Sequence, residues 1–142
     1  MILESTELAG LLRDRSRRLV LEVTEHAAID DHPALRHAVA ALGPTVSLAV
    51  DDAGVGFANH RHVVELRPRF LKLDISLVRH VDRDLTRQAM IAGLIQFAAR
   101  AGCEVIAEAI EDPAELEVLR ELGVPFGQGY LLGRPEPLPA IP

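Results

Sequence analysis

Acidic, basic and amide side chains that could do chemistry recur at the ends of short apolar runs along this chain. They are Glu22 in Leu19–Val23, Asp51 and Asp52 after Val46–Val50, Lys72 in Phe70–Leu73, Glu108 after Val105–Ala107, and Gln128 in Phe126–Tyr130. Helical segments separate the runs, which predicts strands that alternate with helices in a parallel sheet. Because the carboxyl ends of such strands face one common mouth, we expect these residues to share an acidic pocket with a single lysine.

Two adjacent aspartates, Asp51 and Asp52, follow the second run. Neighbouring carboxylates repel each other unless a positive charge lies beside them, and a divalent metal ion is a common source of that charge. Successive side chains point in different directions, so each aspartate could bind a different ion of a pair about 3.5–4 Å apart, as in phosphoryl transfer. Glu22 could supply a further oxygen ligand suited to magnesium or manganese. The alternative is that the two aspartates only form a turn before Gly54.

The chain contains one lysine, Lys72, among fourteen arginines. A compact ammonium could neutralise the negative charge that develops in phosphoryl transfer, where a wide guanidinium would not fit; a chance of composition is the alternative. Glu108 could hold or deprotonate an attacking water, and Gln128 could orient the same group through its amide. Glu25, three residues after Glu22, could accept backbone N–H groups of the glycine loop or serve as an acid at a helix N-terminus.

Length, charge and cysteine content limit the classes of function. A chain of 142 residues has the length of one domain with one core, and we expect residues 1–142 to form it. A net charge of −6 argues against a nucleic acid polymer as partner, because binding a phosphate backbone needs clustered cations. One cysteine and the lack of a signal-like start predict a cytoplasmic setting without membrane contact.

Apolar spacing and capping residues predict the elements that must position the candidate residues. Helices are expected over 4–15, 33–42, 59–66, 84–101 and 112–122, and strands over 19–23, 46–50, 70–74, 104–107 and 126–132. Alternation along the strands predicts that Asp51 and Lys72 point to the inner side of a barrel, while the branched apolar residues meet the helices. The six histidines are expected at the surface, because no cysteine or third histidine completes a zinc set.

Five motifs carry a resemblance to a known family. They are Leu21-Glu22-Val23-Thr24-Glu25, Asp51-Asp52-Ala53-Gly54-Val55-Gly56-Phe57, Leu71-Lys72-Leu73-Asp74, Ala107-Glu108-Ala109-Ile110-Glu111, and Gln128-Gly129-Tyr130 followed by Pro135 and Pro137. In this order and at these separations they resemble the C-terminal part of EAL domains, the bacterial cyclic-di-GMP phosphodiesterases. The resemblance covers residues from about 8 to 137.

The resemblance implies a TIM-like (β/α) barrel that hydrolyses one phosphodiester of cyclic-di-GMP to the linear dinucleotide with two magnesium or manganese ions. It assigns metal binding to Glu22, Asp51 and Asp52, and it places Lys72, Glu108 and Gln128 around the attacking water. It further assigns loop stabilisation to Glu25 and substrate binding to Asp74, Tyr130 and Pro135.

The sequence departs from the family pattern in ways that bear on activity. The segment with the Glu-Ala-Leu signature and a later metal-binding asparagine have no counterpart here, so two expected ligands are missing. Ala53 and Val55 replace an aromatic residue and a threonine, and Ala109 stands where glycine is usual. We therefore expect a phosphodiesterase that is weak or inactive alone. The alternative is a degenerate, non-catalytic module that binds cyclic-di-GMP or a protein partner.

About five strands supply only part of a barrel, which leaves two open edges. Such edges are expected to be covered by a second copy of the chain, by a partner chain or by the missing N-terminal barrel segment. A flattened open sheet is a further alternative. The prediction is therefore an incomplete α/β barrel that forms a homo-oligomer or pairs with the missing N-terminal segment.

Overall fold

The computed structural model describes residues 18–24, 29–53 and 57–136, and for residues 52, 53 and 57–60 it describes the backbone alone. Strands and helices alternate along the chain. They are β1 (Leu19–Val23), α1 (His32–Ala41), β2 (Val46–Ala53), α2 (Phe57–Leu66), β3 (Phe70–Leu73), α3 (Ile75–Val78), a 3-10 turn (Val81–Arg83), α4 (Leu85–Ala101), β4 (Glu104–Ala107), α5 (Pro113–Glu121) and β5 (Phe126–Gly127). The predicted helix over 4–15 lies outside the described residues.

The strands form one five-stranded sheet in the order β1-β2-β3-β4-β5, and every neighbouring pair is parallel. Parallel strands in unbroken order need crossover connections, and crossovers of the usual right hand carry the connecting helices on one face of the sheet, as in a barrel wall. The described part of the sheet is not closed, so β1 and β5 are its two edges. The predicted α/β architecture with five parallel strands is confirmed.

Local capping signals fix several helix boundaries. Asp31 accepts a hydrogen bond from the backbone N–H of Ala34 at 2.8 Å and begins α1. Asp112 begins α5 in a capping box with Glu115. Gly102 ends α4 in the left-handed conformation, with φ at 74°. These signals are short-range, and for this reason the observed bounds lie close to the predicted ones.

Apolar side chains between the sheet and the helices form the core. The largest cluster joins β3, β4, α4 and α5 and includes Leu73, Val78, Val81, Ile91, Val105, Ile110 and Leu119. A second cluster packs around α1, β1 and β2 and includes Val23, Val39, Val46, Leu48 and Leu66. No helix in the described part of the chain is both long and apolar enough to cross a membrane.

Two strand predictions were wrong at their C-terminal ends. β2 continues through Ala53, so Asp51 and Asp52 belong to the strand and not to the turn after it. β5 stops at Gly127, well before Leu132. The chain turns there because the N–H groups of Leu131 and Leu132 donate to Ile110 and Gly129 instead of extending the ladder.

The prediction that all histidines lie at the surface was also wrong. His32 at the start of α1 and His62 in α2 are 4 % and 6 % exposed, and their ring atoms Nε2 and Nδ1 lie 2.9 Å apart. Burial, the neighbouring His32 and the charge of Arg61 all lower the pKa of His62 below its usual value. The contact gives one polar nitrogen of each buried ring a hydrogen-bond partner and joins α1 to α2.

Candidate active site

A single ammonium group joins side chains from three strands at the carboxyl edge of the sheet. The Nζ atom of Lys72 lies 2.9 Å from Oε2 of Glu22 and 2.9 Å from Oε1 of Glu108. It also lies 3.3 Å from Oδ1 of Asp51. Lys72 is only 4 % exposed, so the ammonium exchanges most of its water for these carboxylates. The structure thus brings these four residues together at one edge of the sheet, as the sequence predicts.

Register and parity explain how Lys72 and Glu108 meet. Lys72 pairs with Ile106 in β4, and Glu108 lies two residues beyond Ile106 on the same face. Glu22 pairs with Ala49 in the neighbouring strand, two residues before Asp51. The side chains therefore converge from successive strand ends above one face of the sheet.

An irregularity in β2 sets the position of the two aspartates. Val50 pairs with Leu71 and Ala53 pairs with Leu73, so Asp51 and Asp52 together stand opposite Lys72. Two residues against one is the pattern of a β-bulge, which redirects side chains and is frequent beside active sites. The side chain of Asp52 is not among those described, and its role in metal binding stays a prediction.

Gln128 completes the group from the neighbouring strand end. Its Nε2 atom donates a hydrogen bond to Oε1 of Glu108, the oxygen that Lys72 also contacts. The backbones are joined as well, because Gln128 N–H donates to Ala107 at 2.8 Å and Gln128 C=O accepts from Ile110 at 3.1 Å. The amide of Gln128 is thus held over the carboxylate of Glu108 through both backbone and side chain.

The charges in this cluster do not balance. Burial opposes the charge on Lys72, but hydrogen bonds to Glu108 and Glu22 outweigh it and raise the pKa of Lys72 above its usual value. Burial and the carboxylate of Asp51 raise the pKa of Glu108, although Lys72 acts in the opposite direction. One ammonium therefore stands against three carboxylates, while the raised pKa of Glu108 comes first from its burial and then from the neighbouring carboxylate of Asp51.

The donor set fits a hard divalent cation. Carboxylate oxygens are the preferred ligands of magnesium, manganese and calcium, and the surplus negative charge is what such an ion would neutralise. The side chain of Glu22 is 48 % exposed, so one ligand faces solvent from which an ion can enter. Asp51 is less exposed, at 19 %.

A second group of possible ligands lies away from the strand ends. Ligand atoms of His80, Asp82 and Glu115 lie within 4.8 Å of one another. Glu115 is buried and accepts the backbone N–H of His80 at 2.9 Å while completing the capping box of α5. The contacts of Glu115 are accounted for by its structural role as a cap.

The residues predicted to bind substrate have different surroundings. Asp74 accepts the N–H of Ser76 at 2.8 Å and caps the short helix α3. Tyr130 and Pro135 line a groove of about 700 Å³ that also contains Gln128. The structure does not test their contacts with substrate, and Glu25 lies outside the described residues.

Two residues at this edge were not singled out from the sequence. Arg134 also lines the groove, with its Cζ atom 4.9 Å from the centre of the Tyr130 ring. Ala109, noted only as a replacement of glycine, has a φ of 54°, a left-handed conformation that side chains disfavour. The family pattern has glycine at this position, and that preference was the sequence signal for a left-handed turn.

Five parallel strands in sequential order, with an acidic cluster around one lysine at their carboxyl ends, define an α/β protein of the TIM-barrel-like class. The family model of the EAL domain matches residues 4–135. The match spans most of the sequence, and the chain belongs to the EAL domain family.

Comparisons with individual proteins agree with this family. The chain is 30% identical over 135 residues to the cyclic di-GMP phosphodiesterase PdeL of Escherichia coli K12, covering 94% of this chain and 37% of PdeL. The EAL domain of Mycobacterium smegmatis DcpA has a TM-score of 0.79 at 26% identity over 94% of this chain and 63% of that one. The manganese and cyclic di-GMP complex of Klebsiella pneumoniae BlrP1 has a TM-score of 0.74 at 28% identity, over 92% and 35%. The chain thus spans less than two thirds of each of these relatives.

Proposed function

We propose that this chain carries the C-terminal part of the active site of a cyclic-di-GMP phosphodiesterase, which opens the cyclic dinucleotide to its linear form. The observation that supports it most is the Lys72 ammonium within 3.3 Å of carboxylates from three strand ends. Relatives named as cyclic di-GMP phosphodiesterases supply the substrate class. The proposed setting is the cytoplasm, and the proposed cations are magnesium or manganese.

Glu22, Asp51 and Asp52 are the residues that would hold the cations in this proposal. When bound, two such ions stabilise the negative charge of a phosphodiester under attack and lower the pKa of water. Glu22 and Asp51 both place carboxylate oxygens at the Lys72 ammonium and so lie close together, which supports the assignment.

Glu108, Lys72 and Gln128 take the proton and charge-handling roles. Glu108 accepts a proton from the attacking water, and its raised pKa brings it closer to the range in which a general base works at neutral pH. Lys72 stays protonated and neutralises charge on the phosphate oxygens. Gln128 holds the Glu108 carboxylate in one orientation through its amide.

A second candidate is a non-catalytic module that binds cyclic-di-GMP or a protein partner. One feature supports it: Ala109, where the family pattern has glycine, stands in a left-handed turn next to Glu108. Both candidates use the same cavity, and they differ in whether the phosphodiester is broken.

Calorimetry and product analysis separate the two candidates. Cyclic-di-GMP is first titrated into the chain with calcium, and the linear product is then measured with magnesium or manganese. Linear product supports the phosphodiesterase, whereas binding without product supports the module. The absence of both binding and product would contradict the phosphodiesterase and the module that binds cyclic-di-GMP.

Asp51→Asn, made in the longest available form of the protein, tests whether the cluster is the site. It keeps the shape of the side chain but removes a charge, so we expect metal-dependent turnover to be abolished and the fold to remain. The exposed residue Asp30 offers a matched control, and Asp30→Asn should leave turnover unchanged. Equal activity of both variants would contradict the assignment of the site.

A further inference from the structure

The chain leaves β4 at residues 108–110, here called the β4 exit, and leaves β5 at residues 128–129, here called the β5 exit. The two exits cross each other at backbone contact. A Cβ atom placed on Gly129 would lie 2.2 Å from both the N and the O atoms of Ile110. Real Cβ atoms do not approach backbone this closely, so only glycine permits this crossing. Gly129 follows Gln128, and Ile110 lies two residues after Glu108, so the crossing adjoins the hydrogen-bonded pair.

Ile110 cannot move away to make room. It is 1 % exposed and belongs to the largest core cluster. Its N–H donates to Gln128 and its C=O accepts from Leu131, both at 3.1 Å. Both hydrogen bonds join Ile110 to the segment after β5 and would be disturbed whichever segment moved, but moving Ile110 would also disturb a packed core side chain, whereas Gln128 is exposed. An added side chain at 129 must therefore displace the β5 exit and not the β4 exit.

The β5 exit carries Gln128, whose described hydrogen bonds all go to the end of β4 and to the β4 exit, at Ala107, Glu108 and Ile110. The side chain of Gln128 is exposed, and its contact with Glu108 depends on where the backbone at 127–129 lies. The three contacts of Lys72 come from Glu22, Asp51 and Glu108, which lie on other strands. Displacing the β5 exit would thus separate Gln128 from Glu108 and leave the lysine cluster in place.

We propose that Gly129 is a positioning residue, which holds the Gln128 amide on the Glu108 carboxylate by allowing the two strand exits to cross. This proposal rests on the proposed function only where it concerns turnover, because the geometry can be measured without substrate. It assigns a role in the site to a residue that contacts no reacting group.

The side-chain amide region of a ¹H–¹⁵N spectrum gives a direct test. The chain contains three glutamines and one asparagine, so this region holds four pairs of signals, and Gln128→Ala identifies the pair of Gln128. Glu108→Ala shows where that pair lies when the hydrogen bond is lost. Gln88, whose Nε2 donates to the C=O of Val81 at 2.8 Å, reports on the fold elsewhere.

In Gly129→Ala we expect the Gln128 signals to move to their position in Glu108→Ala, while the Gln88 signals stay. Gly133→Ala is the matched control, because its added Cβ meets nothing within 4 Å and should move neither pair. Unchanged Gln128 signals in a folded Gly129→Ala protein would overturn the proposal.

If Gly129→Ala does not fold, Gly127→Ala tests the positioning role of this segment instead. Its Cβ would lie 2.7 Å from Cδ1 of Ile110, the far end of a flexible side chain, so it pushes the same exit more gently. A smaller shift of the Gln128 signals in the same direction supports the proposal, and no shift overturns it.

Turnover gives a further measurement that a general loss of stability would not reproduce. We expect Gly129→Ala to lower kcat about 100-fold in the wild-type background, as misplacement of catalytic groups by about 1 Å can do. It should lower kcat no further in Glu108→Gln, because the carboxylate that the Gln128 amide orients is already absent. A full additional loss in that background would contradict the positioning role. If no variant hydrolyses cyclic-di-GMP, the phosphodiesterase proposal fails while the spectra still decide the role of Gly129.

Discussion

Lys72 is the residue on which the acidic cluster depends. Its ammonium has contacts of 2.9 to 3.3 Å with three carboxylates, a geometry that suits a compact charge better than a planar guanidinium. Because the side chain is 4 % exposed, water cannot replace those contacts where Lys72 sits. Removing the charge would leave the carboxylates to repel one another.

Lys72→Met should lower the free energy of unfolding by about 1–3 kcal/mol, the range for losing hydrogen bonds between charged groups. Added magnesium should restore part of the loss, because a divalent cation neutralises the same carboxylates. Urea unfolding with and without magnesium measures both effects. Arg69→Met is the control, since Arg69 and Glu104 form a half-exposed ion pair and the change should cost less than about 1 kcal/mol. Equal losses in the two variants would contradict a special role for Lys72.

The left-handed turn at Ala109, next to Glu108, is expected to lower the stability of the folded state. Its φ of 54° disfavours any side chain, so Ala109→Gly should raise the free energy of unfolding by about 0.5–1 kcal/mol after the entropy of the unfolded glycine is subtracted. Ala89→Gly, at an exposed position in α4, should lower it by about 1 kcal/mol. Thermal unfolding compares the two. A loss of stability in Ala109→Gly would show that the turn is not strained.

Helices α1 and α2 are joined by the buried contact between His32 and His62. The pKa of His62 is lowered from 6.5, so the folded protein binds its proton less tightly than the unfolded chain does. The stability of the folded state is therefore fully present above about pH 6.5 and is lost as the pH falls through the lower folded pKa. Acid should loosen the packing of these two helices.

His62→Gln should weaken the pH dependence of unfolding between pH 7.5 and 5. The wild type is expected to lose stability over this range because His62 must take up a proton that its buried site disfavours. His37 is exposed and hydrogen-bonded only to Pro33 among its described contacts, so His37→Gln should keep the wild-type dependence. Urea midpoints at several pH values test this, and identical profiles for all three proteins would disprove it.

The molecule as a whole has an open sheet within the described residues, with β1 and β5 at its edges. Apolar side chains remain uncovered on these strands: Val20 is 44 % and Phe126 is 45 % exposed. Unpaired strand edges with apolar surface favour pairing with another chain. Self-association, or pairing with a further barrel segment, therefore stays our prediction.

Light scattering measures that association. We expect the chain to exceed the mass of a monomer, and Val20→Lys on the β1 edge to lower the association because the charge opposes strand pairing. Val64→Lys, at a more exposed site on α2, should have little effect. A monodisperse monomer in the wild type would contradict the prediction.

Much of the architecture and of the candidate site could be predicted, because the signals are local. Strand runs, capping aspartates and terminal glycines act within a few residues, and parallel strands bring their carboxyl ends to one edge. This is why Glu22, Asp51, Lys72, Glu108 and Gln128 could be grouped without coordinates.

Three features could not be predicted, because they depend on contacts between distant segments. The bulge that sets Asp51 and Asp52 against Lys72 arises from the register between β2 and β3. The burial of His32 and His62 arises from helix packing, and β5 ends early because Gly129 crosses Ile110. Residue types and local spacing thus specify which chemical groups reach the sheet edge. The orientation of those groups is set by the register between strands and by the packing of helices. Both depend on contacts between residues far apart in the chain.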